Sequence, residues 1–180
     1  MVVGGLCVFD TPIGSCGIAW SEDAIVGALL PESNETATLN RLRRRHPELE
    51  AAEAPEWVLA IVTRIQALLA GARDDLADVP LDMRHEPEFN RRVYAVTRAI
   101  PPGRTLTYGD VAQRIGEPGA ARAVGQALGH NPFAPIVPCH RVLAAGNAGG
   151  GFSAGGGLAT KLRMLQIERA QLGSEPGLFD

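Results

Sequence analysis

Cysteine is scarce in this chain: Cys7, Cys16 and Cys139 are the only three in 180 residues, an odd number with no CxxC spacing. That excludes a disulfide framework and leaves no strong four-ligand metal signature. A zinc site drawn from Cys7, Cys16, His46 and His85 is disfavoured by the same spacing, so neither a metal nor another cofactor is expected. No apolar run approaches the roughly 20 residues of a membrane helix, which leaves no membrane partner. Met1-Val2-Val3-Gly4-Gly5 lacks the basic start of a signal peptide. A cytoplasmic protein with reduced thiols is the expectation. No internal repeat is visible.

Hydrophobic residues make up 46% of the chain and charged residues 21%, the balance of a soluble globular protein. The length suffices for one medium domain or two small ones. Net charge is −3, unevenly placed. Residues 1–80 carry 6 basic and 12 acidic side chains, residues 81–172 carry 11 and 6, and the tail from 173 adds Glu175 and Asp180. The second half is therefore the half suited to a phosphate backbone, unless the asymmetry is only a solvated surface.

Short apolar runs from Val2 to Leu30, broken by Asp10-Thr11-Pro12 and Gly14-Ser15, predict two or three strands. Arg41 to Arg45 reads as a surface loop or helix end. Trp57, Ile61, Ile65, Leu68 and Leu69 predict an amphipathic helix over 56–70, stopped at Gly71. Ala72 to Asp82 is polar and the charge sign changes across it. We therefore expect a support domain over 1–80, a second domain over 81–172 and a tail over 173–180. The second domain opens with a helix over 88–100, its face made by Phe89, Val93, Val96 and Ile100. Thr107 and Asp110 form a variant capping pair for a helix reaching Ile115, and after Gly116-Glu117-Pro118-Gly119 a short helix spans 120–128. This pair outlines a helix-turn-helix. A Gly-rich loop over 146–157 precedes a last helix from Leu158 to about Gln171.

Pro138-Cys139-His140-Arg141 sits among short apolar residues and reads as a strand. Neighbours on a strand point to opposite faces, so a proton moving between Cys139 and His140 needs a water or a turned backbone. Thiolate is the nucleophile, and a nearby base or cation makes such a cysteine useful at neutral pH. The bland alternative is a buried structural cysteine. The second short helix offers Ala121, Arg122, Ala123 and Gly125, one long cation on a surface of small residues. Such a helix is poorly equipped to read bases in the major groove. It is shaped either for tight helix packing or for approach to a minor groove only ~6 Å wide, where Arg122 could probe the base stack.

Five ordered stretches then converge: Thr107 to Ala112, Ala120 to Gly125, Gly129 to Pro132, Ile136 to Val142, and Gly151-Phe152-Ser153 through Lys161. Together they resemble the O6-alkylguanine-DNA alkyltransferases, specifically over about 85–170 and loosely before residue 80 through Thr11-Pro12-Ile13-Gly14. The resemblance implies an α/β, ribonuclease-H-like N-terminal domain and a mostly α, winged helix-turn-helix-like C-terminal domain. It also implies direct repair of double-stranded DNA containing O6-alkylguanine, by a monomer that moves the alkyl group onto its own cysteine and is spent. Cys139 matches the acceptor, His140 the residue that draws its proton through a water, and Glu168 the carboxylate that orients His140. Tyr108 matches the phenol that donates toward guanine N3, Asn131 the brace of the cysteine loop, and Arg122 the residue that fills the gap left by a flipped base. Ala121, Ala123, Gly125 and Tyr108 fall on the implied DNA face; Pro138, Val142, Phe152, Ser153 and Ala154 fall around the implied substrate pocket. Arg141 is expected to hold strand and loop together. On pattern alone, Tyr108 could be a core aromatic and Glu168 a solvated carboxylate.

Two departures stand out: Phe152 where many relatives have tyrosine, and Ala134 where some have proline beside an unusually bare Gly155-Gly156-Gly157. They imply weaker stacking on bulky O6 substituents. Two rival functions remain. A non-enzymatic lesion-binding or regulatory module replaces the cysteine, which this chain keeps. A cysteine hydrolase needs an oxyanion motif, which is not evident.

Overall fold

The computed structural model describes residues 3–145 and 157–170. Short, mostly buried apolar runs build three antiparallel strands in the order β1 (Gly5–Thr11), β2 (Gly14–Trp20), β3 (Ile25–Leu29). The β1–β2 turn is held by Thr11, whose Oγ1 donates to Gly14 O at 2.7 Å and accepts from Ile13 N at 3.2 Å. Gly14 has φ +125°, and a Cβ there would meet Pro31 at 3.0 Å, so both backbone and space call for glycine.

One face of the sheet packs on α1 (Glu35–Arg45) through Thr38 and Leu42, with Leu6, Ala19 and Leu29 completing a small cluster. Asn34 caps this helix by accepting from Ala37 N at 2.8 Å. Glu35 at its start and Arg43, Arg44 and Arg45 at its end match the helix dipole. The basic cluster is thus the last turn of a helix whose body the sequence reading did not resolve. The helix buries only two of its residues and lacks a broad apolar stripe.

Helix α2 (Glu56–Leu69) buries Ile61, Ile65, Leu68 and Leu69, as its spacing predicts, and Val58 and Val62 besides, while Trp57 is only partly buried. The polar stretch beyond it is pinned from two sides. Arg64 pairs with Asp74 and Asp78, and Arg98 donates to the carbonyls of Leu76 and Val79 at 3.0 and 2.9 Å. Helix α3 (Glu88–Arg98) is tied to α5 (Ala121–Gly129) by the Tyr94 hydroxyl, which donates to Ala127 O at 2.8 Å. One apolar core includes Ile18, Ile65, Val93, Val124 and Ile136, so residues from both sides of position 80 share it.

Helix α4 (Tyr108–Arg114) begins with a capping box. Thr107 Oγ1 accepts from Asp110 N at 3.0 Å, and the Asp110 carboxylate accepts from Thr107 N at 2.9 Å. Strand β4 (Leu106–Thr107) lies parallel to β5 (Val142–Leu143), which places the start of α4 beside the chain leaving Cys139. The last helix, α6, spans Leu158–Ile167, four residues shorter than its pattern suggests. It ends in a Schellman motif: Arg169 has φ 54°, Ala170 N donates to Leu165 O at 2.9 Å, and Arg169 N donates to Gln166 O at 3.0 Å. A loss of the capping box should be measurable. Thr107→Ala is expected to lower stability by about 0.5–2 kcal/mol in denaturant unfolding; an unchanged midpoint would show that the cap carries no load.

Candidate active site

Cys139 is not on a strand. Cys139–Arg141 forms a single 3-10 turn, with Cys139 N donating to Val137 O at 2.8 Å and Arg141 N to Pro138 O at 2.9 Å. The run has the apolar character of a strand, but it forms local turn bonds in place of a ladder, and Pro138 has no N–H to offer a neighbour. With three residues per turn, successive side chains are about 120° apart, so the opposite-face geometry expected of a strand does not hold. Asn131 braces the approach: its Nδ2 donates to Val137 O at 2.8 Å and its Oδ1 accepts from Phe133 N at 2.9 Å. Strand β3 is fastened to the same loop, Ala28 N donating to Pro132 O at 2.9 Å.

The turn aims three side chains inward. His140 is fully buried, and its Nε2 lies 2.6 Å from Glu168 Oε1. Glu168, the C-cap of α6, is 4% exposed and not solvated, because the Schellman motif turns the chain back toward the core. Arg141 Nε donates to Glu168 Oε2 at 2.9 Å and Nη2 to Oε1 at 2.8 Å, while Nη1 donates to Ile100 O at 2.8 Å. Arg141 therefore ties turn, α3 end and α6 end together, as a holding role requires. Burial would raise the Glu168 carboxyl, but His140 and Arg141 outweigh it and bring it down to about 2. The His140 imidazole is pushed below its ordinary value by burial, against the pull of Glu168. An ionised carboxylate at Nε2 makes that nitrogen the donor and leaves Nδ1 with the lone pair. Among the described residues Nδ1 has no protein partner.

Cys139 is 7% exposed, and burial pushes its thiol up, opposed by Asn131, by the charge of Lys161 and by the backbone N–H groups of Cys139 and His140. Cys16, with only Thr11 opposing its burial, is pushed up to about 12, and Cys7 is raised by burial alone. Cys139 is thus the cysteine equipped with groups that favour the anion. Lys161 is a further member of the site, one to which the sequence reading assigned no role. It is fully buried on α6, its Nζ donates to Val142 O at 2.8 Å, and it lies 5.7 Å from the centroid of the Tyr108 ring. Burial lowers its ammonium to about 8, while Cys139 supports the charge. The available signal was spacing: Lys161, Leu165 and Glu168 recur on one helical face whose other members are apolar.

Tyr108 is half-buried, and burial followed by the charge of Cys139 raises its phenol. It joins this cluster to a groove of about 780 Å³ lined by Thr107, Gly109, Ala121, Arg122, Gly125 and Gln126 among others. Helix α5 buries Val124, Ala127 and Leu128, and leaves Arg122 and Gln126 exposed with Ala121, Ala123 and Gly125 partly so. A Cβ at Gly125 would sit 3.9 Å from Tyr108, an ordinary contact, so internal packing does not demand glycine there. Pro138 and Val142 are buried behind the turn, whereas Phe152, Ser153 and Ala154 lie outside the described residues. Among the described residues no group of three or more His, Cys, Asp or Glu side chains could hold a metal.

Residues 88–170 match the family model described as 6-O-methylguanine DNA methyltransferase, DNA binding domain. The methylated-DNA–protein-cysteine methyltransferase of Mycolicibacterium paratuberculosis is 44% identical over 128 residues, covering 71% of this chain and 75% of the relative. The chain belongs to this methyltransferase family. The crystal structure of Mycobacterium tuberculosis OGT in complex with DNA is similar at 35% identity and a TM-score of 0.73, over 91% of this chain and 92% of that one. The likeness to methyltransferases extends beyond the second half. The Mycobacterium tuberculosis O6-methylguanine methyltransferase is similar over 99% of this chain and 100% of its own, at 34% identity and a TM-score of 0.73.

The Glu168 ion pairs set an acid limb. The folded carboxyl near 2 lies below its ordinary 4.5, so its stabilising contribution is complete above about 4.5 and is lost as pH falls toward 2. Glu168→Gln should be about 3–5 kcal/mol less stable at neutral pH, because Arg141 is left buried and unpaired. It should also lose the part of the pH dependence between 4.5 and 2. Parallel stability curves for the two proteins across that window would refute the ionised pair.

Proposed function

We propose that this protein repairs O6-alkylguanine in double-stranded DNA by direct reversal, moving the alkyl carbon onto Cys139 Sγ once per molecule. The observation that carries the reading is a buried cysteine beside an imidazole–carboxylate–guanidinium cluster, with Tyr108 shared between that cluster and an exposed groove. In the step, the Sγ–C bond forms as the O6–C bond breaks. The thiol proton passes through water to His140 Nδ1, and the guanine anion takes up a proton to end as guanine. Glu168 accepts from Nε2 and steadies the imidazolium while it lasts. Lys161 holds positive charge near the sulfur as it becomes anionic. Tyr108 donates toward N3 as negative charge gathers on the base, and Asn131 keeps the cysteine loop in register.

Helices α4 and α5 meet the duplex from the minor-groove side, small residues Ala121, Ala123 and Gly125 allowing close approach. Arg122 takes the place of the extrahelical nucleotide. The two halves act as a ribonuclease-H-like support over 1–80 and a winged helix-turn-helix-like unit over 81–172. The three-stranded sheet with its helices and the α4–turn–α5 pair support that division. The protein works as a monomer in the cytoplasm, where its thiols stay reduced. A lesion-binding module without chemistry would have no use for a cysteine so surrounded.

Incubation with a duplex containing O6-methylguanine should give at most one repaired base per protein and a methyl mass gain confined to the Cys139 peptide. Turnover beyond one, or unmodified protein after complete repair, would overturn the reading. Cys139→Ala should abolish transfer while duplex affinity stays nearly unchanged. Arg122→Ala should slow repair of duplex at least tenfold while barely changing reaction with free O6-methylguanine; equal losses on both substrates would remove the extrahelical-base role.

A further inference from the structure

The buried cluster raises a charge problem that His140 and Glu168 do not solve alone. A carboxylate 2.6 Å from an imidazole pulls toward a proton on the ring, against the burial that favours the neutral form. A protonated ring cannot accept the proton of the thiol. The described groups charged or titratable around the ring are Glu168 and Lys161 from α6, and Cys139 and Arg141 from its own turn. Of these, Arg141 makes the closest use of Glu168. Its Nε and Nη2 address both carboxylate oxygens, and Nη2 at 2.8 Å shares Oε1 with His140. The side chain cannot swing away, because it is 1% exposed and Nη1 is held by Ile100 O at 2.8 Å.

We propose that Arg141 is a positioning residue that keeps His140 neutral in the resting protein, by taking up the charge of Glu168 in a fixed two-point ion pair. The inference deepens the reading of His140 as the proton acceptor and rests on it. Glu168 and Arg141 together present a dipole to the ring rather than a bare negative charge. The carboxylate still accepts from Nε2 and so fixes the tautomer, yet the ring stays free to take a proton at Nδ1. Burial is the largest influence in this direction, and Arg141 adds to it together with the positive charge of Lys161. Arginine suits the task because its guanidinium is always charged and its planar fork matches both carboxylate oxygens. Its neighbour in sequence thereby becomes a base whose proton affinity, already lowered by burial, is kept low beside Glu168 by a fixed counter-charge.

The test is the protonation midpoint of His140, read by NMR on protein with isotope-labelled histidine, beside the pH dependence of single-turnover transfer. Arg141→Gln should raise the midpoint at least tenfold in proton affinity, and the acid limb of the rate should move up in pH with it. Arg141→Lys should keep the midpoint near that of the unmodified protein, even where it lowers stability. Should Arg141→Gln not fold, the double variant Arg141→Gln with Glu168→Gln, which buries no unpaired charge, is compared with Glu168→Gln alone: taking the arginine away should raise the midpoint. An unmoved midpoint in Arg141→Gln, or equal midpoints in the double variant and Glu168→Gln, overturns the inference. The two readings separate cleanly. If the midpoint moves as described and the rate profile does not follow, Arg141 controls the ring but His140 is not the acceptor, and the proposed mechanism fails instead.

Discussion

Taking a carboxylate out of water costs several kcal/mol even after a protein relaxes around it, and Glu168 is almost completely enclosed. Its burial is offset by donors from two side chains. Arg141 grips both oxygens and His140 takes a share of one. The surrounding structure follows from the need to bring residues 140, 141 and 168 to one point. A 3-10 turn aims the first two inward, and a Schellman stop at the end of α6 returns the third. Ile100 O at the end of α3 closes the remaining side of the guanidinium.

The reacting sulfur sits at the edge of this arrangement rather than inside it. Burial holds the thiol protonated at rest, so the anion must be made when it is needed and not stored. That division suits a nucleophile used once. An exposed, permanently ionised thiolate would be open to oxidation before it met a lesion. Lys161 and Arg141 carry positive charge into the same interior against the single negative charge of Glu168. The site therefore has one positive charge to spare, which an anionic sulfur would balance. Tyr108 links this interior to the groove, and its own place is set by the Thr107–Asp110 cap and the short β4–β5 pairing.

Helices with a clear apolar stripe were legible in the chain. Residues 56–69 and 88–98 follow from the spacing of Ile61, Ile65, Val93 and Val96, and the capping pair marks the start of α4. Helix α1 was not, since its surface is mostly polar and its few buried residues carry no stripe. Residues 136–143 misled because an apolar run has the same appearance as a strand or as a buried turn. Only the partners of its backbone groups distinguish the two. The end of α6 was misplaced for a related reason: Arg169 adopts a left-handed conformation that its residue type does not advertise.

Residue order by itself determined which groups are candidates for the chemistry: a lone Cys-His-Arg, a tyrosine at a helix start, a small-residue helix with one arginine, and a family pattern that spans them. Those are matters of type and spacing, which a chain carries before it folds. Tertiary structure decided their states. Whether Glu168 is solvated or buried, whether His140 is neutral, and whether Lys161 belongs to the site depend on water exclusion and on groups 19 to 28 positions apart. Charge energies change severalfold between solvent and interior, so only the fold could assign them.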